Sequence, residues 1–337
     1  MFTTDILVGL QHGDEGKGKI SKYLCAQNNY DLCMRFNGGP NAGHTIYKNE
    51  SKIVLHQVPI GIIYGIKCLI GPTCVLDITK LEKELCDLEN MGFDNVRNLL
   101  FISNNIHIIQ SKHINEDCSN NKVGTTCSGI GPTYRDKYAR CGSRLDEVNT
   151  LCGCRVIDPI DMIYNNDIES IFMEGAQGFE LDIDWGDYPY VTSSSCLSGA
   201  SMLSGISPRS VSNIWGISKL YDTYVGKKTF TDEQDDDLQR LQVLGDEFGA
   251  TTGRVRQCNW LNLYRLRRSI LINSVNHIVF NKCDIIKNLG VYKLYDINNT
   301  LLEFNSYEEM DTYIRSFIKN EFPYDINVMF SSSKYTL

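Results

Sequence analysis

The sequence predicts an α/β fold in which a mainly parallel central sheet is flanked by helices. Short apolar runs, which are typical of buried strands, alternate with segments of helical periodicity. A glycine-rich turn joins the first strand to the first helix, and a second glycine-rich turn follows the next strand. Strands that alternate with helices in this way are typical of a parallel sheet.

The elements are predicted as follows in chain order. The predicted strands are residues 6–10, 32–36, 53–58, 67–70, 99–103, 170–173, 214–220 and 277–280. The predicted helices are residues 18–27, 81–91 and 260–272. Residues 115–122 and 231–237 are predicted as loops, the second of them a solvated acidic loop. Because no repeat or low-complexity linker divides the chain, we expect a single domain over residues 1–337.

Composition limits the possible functions. A chain of 337 residues that is 42% hydrophobic can bury a large core. Its net charge of -8 argues against a general affinity for nucleic acid. The 13 cysteines lack zinc-finger or redox spacing, and we expect reduced thiols. No run approaches the roughly 18 apolar residues of a membrane span, so no membrane partner is expected and the predicted location is the cytoplasm, or the host cytoplasm if the chain is viral.

The first turn has the chemistry of a phosphate-binding loop. Glycines let backbone N–H groups approach phosphate oxygens, the helix N-terminus adds positive potential, and lysines neutralise charge. Ile20 stands where a standard P-loop has a magnesium-binding Ser or Thr. The predicted fold is therefore P-loop-NTPase-like with insertions. The residues of this turn are Gly13, Asp14, Glu15, Gly16, Lys17, Gly18 and Lys19.

The second turn, residues 37–45, contains His44 just past a strand. Loops that follow the carboxyl ends of parallel strands are where α/β folds bind ligands. This position favours a functional role for His44.

Residues 11–19 followed by residues 37–45 resemble the paired signature of the adenylosuccinate synthetase family. Further blocks follow in family order, namely residues 124–140 (GTTCSGIGPTYRDKYAR), 174–194 (EGAQGFELDIDWGDYPYVTSS), 248–260 (FGATTGRVRQCNW) and 281–284 (NKCD). The resemblance implies a ligase of purine biosynthesis. A nucleoside triphosphate would phosphorylate the 6-oxygen of IMP, and L-aspartate would then displace that phosphate to give adenylosuccinate.

The resemblance also implies roles for individual residues. Asp14 would act as the base, and His44 would stabilise charge on the transferring phosphoryl group; Lys17 and Gln177 complete the catalytic set. Nucleotide monophosphate contacts would come from Asn41, Thr126, Arg140, Gln177, Thr192, Val225 and Arg254. Triphosphate contacts would come from Gly13, Glu15, Gly16, Lys17, Gly18, Lys19, Gly43, Thr45, Arg256, Asn281, Lys282 and Asp284. Aspartate would be bound by Thr251, Thr252, Arg254 and Arg256, and Mg2+ by Asp14 and the backbone carbonyl of Gly43.

The chemistry of these side chains agrees with the implied roles. Paired arginine forks recognise carboxylates such as those of aspartate. An amide such as that of Gln177 both donates to and accepts from a purine edge. Carboxylate and carbonyl oxygens suit Mg2+. The family pattern further implies a homodimer in which Arg140 reaches the nucleotide phosphate of the neighbouring subunit.

Several positions depart from the family pattern. His12 replaces a usual tryptophan, Ser128 an arginine, and Trp185 a histidine, while Tyr224 precedes Val225 where an arginine is common. The end of the chain, residues 331–334, lacks the Gly-Pro that finishes the guanine pocket. The resemblance implies GTP as the phosphoryl donor, and the missing Gly-Pro leaves ATP open as an alternative.

The nucleotide substrate also has an alternative. The short length resembles archaeal and phage-type branches, and phage-type members use dGMP to make the precursor of 2-aminoadenine. Asp14 favours IMP, because better-known phage-type members have serine there. Guanine also carries an N1–H and a 6-oxygen, so dGMP stays open. A regulatory GTP-binding switch is a third possible function. It is disfavoured because such a protein would need neither the 174–194 block nor the aspartate loop.

Overall fold

The computed structural model describes residues 2–48, 51–119, 124–164, 167–231, 234–248 and 253–333. The strands are β1 (Thr3–Gly9), β2 (Leu32–Arg35), β3 (His44–Lys48), β4 (Ser51–Leu55), β5 (Lys67–Ile70), β6 (Val75–Leu76), β7 (Leu100–Ser103), β8 (His107–Ile108), β9 (Thr150–Leu151), β10 (Cys154–Ile157), β11 (Ser170–Glu174), β12 (Val211–Lys219), β13 (Tyr221–Tyr224), β14 (Gln257–Asn262), β15 (His277–Asn281), β16 (Tyr292–Tyr295), β17 (Leu301–Phe304) and β18 (Asn327–Phe330).

The α-helices are α1 (Lys17–Gln27), α2 (Ile78–Asn90), α3 (Val96–Leu99), α4 (Ser111–Ser119), α5 (Ile130–Tyr138), α6 (Pro159–Ile163), α7 (Asp236–Leu244), α8 (Leu263–Asn273), α9 (Cys283–Leu289) and α10 (Tyr307–Glu321). Short 3-10 helices cover Ile60–Tyr64, Phe179–Leu181, Ser198–Ser204 and Pro208–Ser210. None of the helices in these ranges is long and apolar enough to cross a membrane.

A ten-stranded sheet forms the centre of the molecule, in the order β18-β15-β12-β1-β11-β2-β5-β7-β10-β9. Its strands pair in parallel apart from β9, which is antiparallel to β10. The predicted α/β class with a mainly parallel sheet is confirmed. The first strand lies in the interior of this sheet, with Ile6 opposite both Met173 and Ile214.

The sheet separates two apolar cores, because successive side chains of a strand point to opposite faces. Ile6 and Val8 of β1 belong to the core that contains α8 and α10. Leu7 belongs to the core that contains α1 and α2. Both faces of β1 are thus buried, which explains its continuous apolar run.

Three predicted segments differ from the structure. Residues 260–262 belong to strand β14, and helix α8 begins only at Leu263, because the side chain of Asn262 accepts from the backbone N–H of Arg265 at 3.0 Å and caps the helix there. Residues 115–119, predicted as a loop, form the second half of α4. The predicted strand 53–58 contributes to the separate β3–β4 hairpin.

The acidic segment is also more ordered than a solvated loop. Asp235 caps α7 by accepting from the backbone N–H of Asp237, and it accepts from Trp260 Nε1 at 2.8 Å. Asp232 and Glu233 lie outside the described residues.

The smaller sheets are insertions at the carboxyl edge of the main sheet. The β3–β4 hairpin follows β2, and β13 follows β12 and opens a four-stranded sheet of order β13-β14-β16-β17. These insertions surround the ends of the central strands, where the candidate site lies.

The close packing of Gly61 provides a test of the α1-side core. A Cβ at Gly61 would lie 2.5 Å from Cβ of Cys33 on β2. We expect Gly61→Ala to lower the free energy of unfolding by about 1–3 kcal/mol through overpacking, measured by urea denaturation. Gly199→Ala is the matched control, since a Cβ there meets nothing within 4 Å, and we expect a change within about 0.5 kcal/mol. Equal losses in both variants would contradict this packing.

Candidate active site

The carboxyl ends of five adjacent strands, β15, β12, β1, β11 and β2, meet at one edge of the main sheet. A cavity of about 410 Å³ lies above this edge. Ligands of α/β folds bind in this position because loops from neighbouring strands converge there. The predicted site residues that line the cavity are Gly13, Asp14, Gly16, Lys17, Gly18, Asn41, Gly43, His44, Thr45, Thr126, Gln177, Thr192, Val225, Arg254 and Arg256.

Three of these lining residues carry buried polar atoms without a hydrogen-bond partner in the described part of the chain. The unpaired atoms are both amide atoms of Gln177, Oδ1 of Asn41 and Nε2 of His44. Leaving a buried polar group unpaired costs about 1–3 kcal/mol. Gln177 is also held at a φ of 58°, in the left-handed region. These groups are therefore arranged for a polar ligand.

The phosphate loop between β1 and α1 is organised around the carboxylate of Glu15. This side chain is fully buried and accepts from the backbone N–H of Gln11 at 3.1 Å and of Gly13 at 2.9 Å. Its second oxygen accepts from Lys17 Nζ at 2.6 Å. The loop is thus preformed, with Gly13 and Gly16 at φ values of 86° and 87° that favour glycine.

His44 is oriented by Glu174, the last residue of β11. His44 Nδ1 contacts Oε1 of Glu174, whose other oxygen accepts from the backbone N–H of Ile60 at 2.9 Å. Burial lowers the pKa of His44, although Glu174 offsets part of this effect. Burial also opposes ionisation of Glu174, but His44 and Arg35 outweigh it and hold its pKa below the usual value. Because Glu174 occupies Nδ1, the unpaired Nε2 of His44 remains available to a ligand.

A second group of charges surrounds Arg256. Its Nε donates to Oδ2 of Asp14 at 2.7 Å, and its Nη1 donates to Glu247 at 2.8 Å. Burial opposes ionisation of Glu247, but Lys219, Lys282 and Arg256 outweigh it and hold its pKa at about 2. Arg256 therefore joins the phosphate loop to the carboxylate of Glu247.

Arg254 is directed to a different part of the cavity. Its Nη1 donates to the backbone carbonyl oxygens of Gly124 at 2.9 Å and Thr125 at 3.4 Å. The two arginines of the predicted aspartate loop thus both line the cavity, but they contact different partners there.

Some predicted site residues lie outside the cavity wall. Glu15 faces the interior of its own loop. Lys19 Nζ donates to Ser331 Oγ at 2.6 Å and to the carbonyl of Ser333 at 3.0 Å, and burial lowers its pKa to about 8. Arg140 is exposed beyond the end of α5. Thr251 and Thr252 lie outside the described residues.

The NKCD segment lies directly beside the phosphate loop. Asn281 Nδ2 donates to the backbone carbonyl of Glu15 at 2.7 Å. Lys282 donates to the carbonyl of Gly245 at 2.8 Å, and Asp284 is half-buried in the first turn of α9. Although these residues do not line the 410 Å³ cavity, their segment adjoins the loop that would bind a triphosphate.

Sequence reasoning gave no role to Arg35, Glu174 or Lys219. Each is the charged last residue of a strand of the main sheet, and that position is the signal that could have identified them. Arg35 and Glu174 are register partners on adjacent strands, and Nε and Nη1 of Arg35 lack partners among the described residues. The sequence analysis gave His12 only as a departure from the family pattern. It is buried, and its Nδ1 contacts Oδ2 of Asp222 at 2.9 Å.

A preformed phosphate loop, an oriented histidine and two arginines around one cavity define a nucleotide-dependent enzyme that transfers a phosphoryl or similar group. Comparison with known families narrows this class. A profile described as adenylosuccinate synthetase matches residues 6–155 and 153–315. The chain belongs to the adenylosuccinate synthetase family, ligases of purine biosynthesis that act on a nucleoside monophosphate, a nucleoside triphosphate and aspartate.

Bacterial adenylosuccinate synthetases are similar over most of the chain. The enzyme of Chlorobium chlorochromatii is 38% identical over 342 residues, which cover 86% of this chain and 78% of the relative. The enzyme of Parabacteroides distasonis is 36% identical over 396 residues, which cover 97% of this chain and 92% of the relative. Since this second alignment is longer than the 337-residue chain, the relative carries insertions that this chain lacks.

Two solved structures share the fold. The fully ligated adenylosuccinate synthetase of Plasmodium falciparum superposes with a TM-score of 0.80 at 30% identity, covering 90% of this chain and 85% of that one. The succinoaminodeoxyadenylate synthetase of cyanophage S-2L, bound to dGMP and dATP as an energy donor, superposes with a TM-score of 0.73 at 21% identity. The match covers 94% of this chain and 99% of that one. The second likeness concerns the fold alone.

The His44–Glu174 contact predicts a large effect on turnover. We expect Glu174→Gln to lower kcat by about 10²–10⁴-fold, because the neutral amide no longer supports the proton on His44 Nδ1. Phosphate release would measure this. Glu84→Gln is the matched control, since Glu84 is a buried carboxylate that accepts three backbone N–H groups away from the cavity. If the folded Glu174→Gln protein turns over as fast as Glu84→Gln, the assigned role of Glu174 is wrong.

Proposed function

We propose that this protein is an Mg2+-dependent ligase that phosphorylates the 6-oxygen of IMP and displaces that phosphate with L-aspartate, giving adenylosuccinate, a nucleoside diphosphate and phosphate. The observation that supports this most directly is the set of unpaired polar groups of Gln177, Asn41 and His44 in one cavity with the phosphate loop. Such a cavity suits a purine edge beside phosphate groups. The family membership supplies the reaction class.

In the first step, Asp14 would take the proton from N1 of the base. The electron pair then moves to O6, which attacks the γ-phosphorus while the nucleoside diphosphate leaves. Asp14 suits this task because it lines the cavity and its side chain is 42% exposed. Bound phosphate groups would favour protonation of His44, so that Nε2 donates to the transferring phosphoryl group while Glu174 accepts from Nδ1.

In the second step, the amine of aspartate would attack C6 and the phosphate would leave. Arg254 and Arg256 would bind the two carboxylates of aspartate. Arg256 already contacts the carboxylates of Asp14 and Glu247. A substrate carboxylate that binds Arg256 would therefore weaken its hold on Asp14, which links aspartate binding to the base.

The residues around Asp14 also fit Mg2+. The Asp14 carboxylate and the backbone carbonyl of Gly43 line the same cavity, and hard oxygen ligands together with substrate phosphate oxygens are what this cation prefers. Bound there, Mg2+ would neutralise charge on the phosphates. The reaction would take place in the cytoplasm, or the host cytoplasm if the chain is viral.

The donor is proposed to be GTP. Asp284 would accept from the guanine edge and Lys282 would cover the base, at the segment that Asn281 fixes to the phosphate loop. Lys19 holds the end of the chain at Ser331 and Ser333, where the family's Gly-Pro is missing. ATP is thus the alternative donor.

dGMP is the second candidate substrate. The cyanophage enzyme of similar fold is described with dGMP and dATP, whereas Asp14 and the 36–38% identity to adenylosuccinate synthetases favour IMP. A regulatory GTP-binding switch is a distant third, because it would not need two arginines in the cavity.

The proposed reaction predicts a strict set of requirements. Phosphate release from the purified protein should require IMP and L-aspartate together with GTP. Parallel reactions contain GMP or dGMP in place of IMP, and ATP in place of GTP. Asp14→Asn should lower turnover by about 10²–10⁴-fold through loss of the base. Release from GTP alone would favour the switch, faster turnover of dGMP would favour the phage-type reaction, and normal turnover of Asp14→Asn would remove Asp14 from the mechanism.

The family pattern implies a site shared between subunits, and the exposed position of Arg140 is compatible with such a site. We propose a homodimer in which Arg140 binds the nucleotide phosphate of its partner, so Arg140→Leu and Asp14→Asn should each be nearly inactive. In mixed dimers, one site combines the intact Asp14 of one subunit with the intact Arg140 of the other. Activity should return toward about half of the wild-type turnover per dimer. If purified mixed dimers stay inactive, Arg140 does not act across the interface.

A further inference from the structure

Cys118 and Cys127 lie next to each other at the surface. All 13 cysteines are free, and most are buried, but Cys118 is exposed at the end of α4 and Cys127 is partly exposed. The thiol of Cys118 donates to the carbonyl oxygen of Cys127 at 3.9 Å. The two residues are nine positions apart in the sequence.

The conformation of Cys127 is unusual for its residue type. Its φ is 53°, in the left-handed region. A residue with a Cβ is strained there, by roughly 1–2 kcal/mol, and the partly exposed side chain gains little from burial. Packing therefore does not explain a cysteine at this position, and the thiol of Cys118 lies within hydrogen-bonding distance of the Cys127 carbonyl.

The thiol pair adjoins the cavity wall. Gly124, Thr125 and Thr126 line the cavity directly before Cys127. On the other side, Asp117 also lines the cavity, and its carboxylate accepts from the backbone N–H of Gly129 at 2.9 Å. The segment that contains Cys127 is thus hydrogen-bonded to α4 through Asp117 and Gly129.

We propose that Cys118 and Cys127 form a reversible disulfide that weakens binding of the nucleoside monophosphate. The oxidant is a small disulfide such as oxidised glutathione. One protein thiolate attacks it and releases a glutathione thiolate; the second protein thiolate then attacks the protein-side sulfur and releases the other glutathione. The protein loses two electrons and two protons, and the two glutathiones gain them.

The covalent bond would move the cavity wall. An S–S bond is about 2.05 Å long, much shorter than a hydrogen-bonded contact between sulfur atoms. Closing it draws Cys127 toward α4, and Thr126 moves with it. Thr126 Oγ1 lies 3.1 Å from Ser128 Oγ, so the hydroxyl that is expected to contact the nucleotide is held within this same segment. Displacements near 1 Å at a binding site lower turnover by up to about 10²-fold.

The disulfide is tested by peptide mapping under non-reducing conditions, after incubation in defined mixtures of reduced and oxidised glutathione. We expect a Cys118–Cys127 crosslinked peptide from the wild-type protein. Cys118→Ser and Cys127→Gly, in which glycine suits the positive φ, should give none. Cys141→Ser is the matched control, since Cys141 is also exposed but bonds to the backbone carbonyl of Asp136; it should crosslink normally. Glutathione adducts without the crosslink overturn the proposal.

The effect on binding rests on the proposed function, so it is measured separately. Oxidation should raise the KM for IMP about tenfold in the wild-type protein and in Cys141→Ser. Dithiothreitol should reverse this rise, and Cys118→Ser should be insensitive. A crosslink that leaves KM unchanged overturns the regulatory role. Because the mapping needs no substrate, failure of the proposed reaction would be recognised independently, as absence of phosphate release by the reduced protein.

Discussion

The buried carboxylate of Glu15 is the contact on which the architecture of the site depends. It joins the backbone of the phosphate loop to Lys17, and charge-assisted hydrogen bonds of this kind are stronger than neutral ones. Space for it exists because Gly9 and Gly178 lack side chains; a Cβ on Gly9 would lie 2.6 Å from both carboxylate oxygens. This acidic side chain thereby organises the loop after β1 and packs against Gly178 in the loop after β11, beside the cavity.

A similar arrangement is found at the neighbouring strands, where further buried charges lie near groups of opposite charge. Glu174 lies between His44 and Arg35, and Glu247 accepts from Arg256 beside Lys219. A buried charge without a partner would be strongly unfavourable. Internal carboxylates therefore keep the arginines and lysines of the site ionised. Anionic substrates can then exchange places with those carboxylates, and the fold need not tolerate a cluster of unpaired cations.

Much of this molecule was predictable from sequence, for identifiable reasons. Apolar runs located β5 at its observed bounds and β1 and β15 within a few residues, since strands buried on both faces leave a continuous signal. The glycine-rich turns correctly indicated the cavity. The direction of side chains within those turns was not predictable, because a turn has no fixed periodicity. The sequence therefore did not indicate that Glu15 faces the interior of its loop or that Lys19 contacts Ser331 and Ser333. The prediction of a helix from Trp260 was wrong because an apolar run fits either a strand or a helix until the residue that caps the helix is known.

The position of β1 between β11 and β12 has a consequence for protein synthesis. Its neighbours on both sides, β11 (Ser170–Glu174) and β12 (Val211–Lys219), are synthesised much later. On a ribosome that adds roughly 5–20 residues per second, the first strand would wait on the order of ten seconds or more for them. During that interval, its apolar faces and unpaired edges are candidates for chaperone capture. Strand β1 is thus synthesised well before it can become ordered, and translation products that end before β12 would lack the nucleotide site altogether.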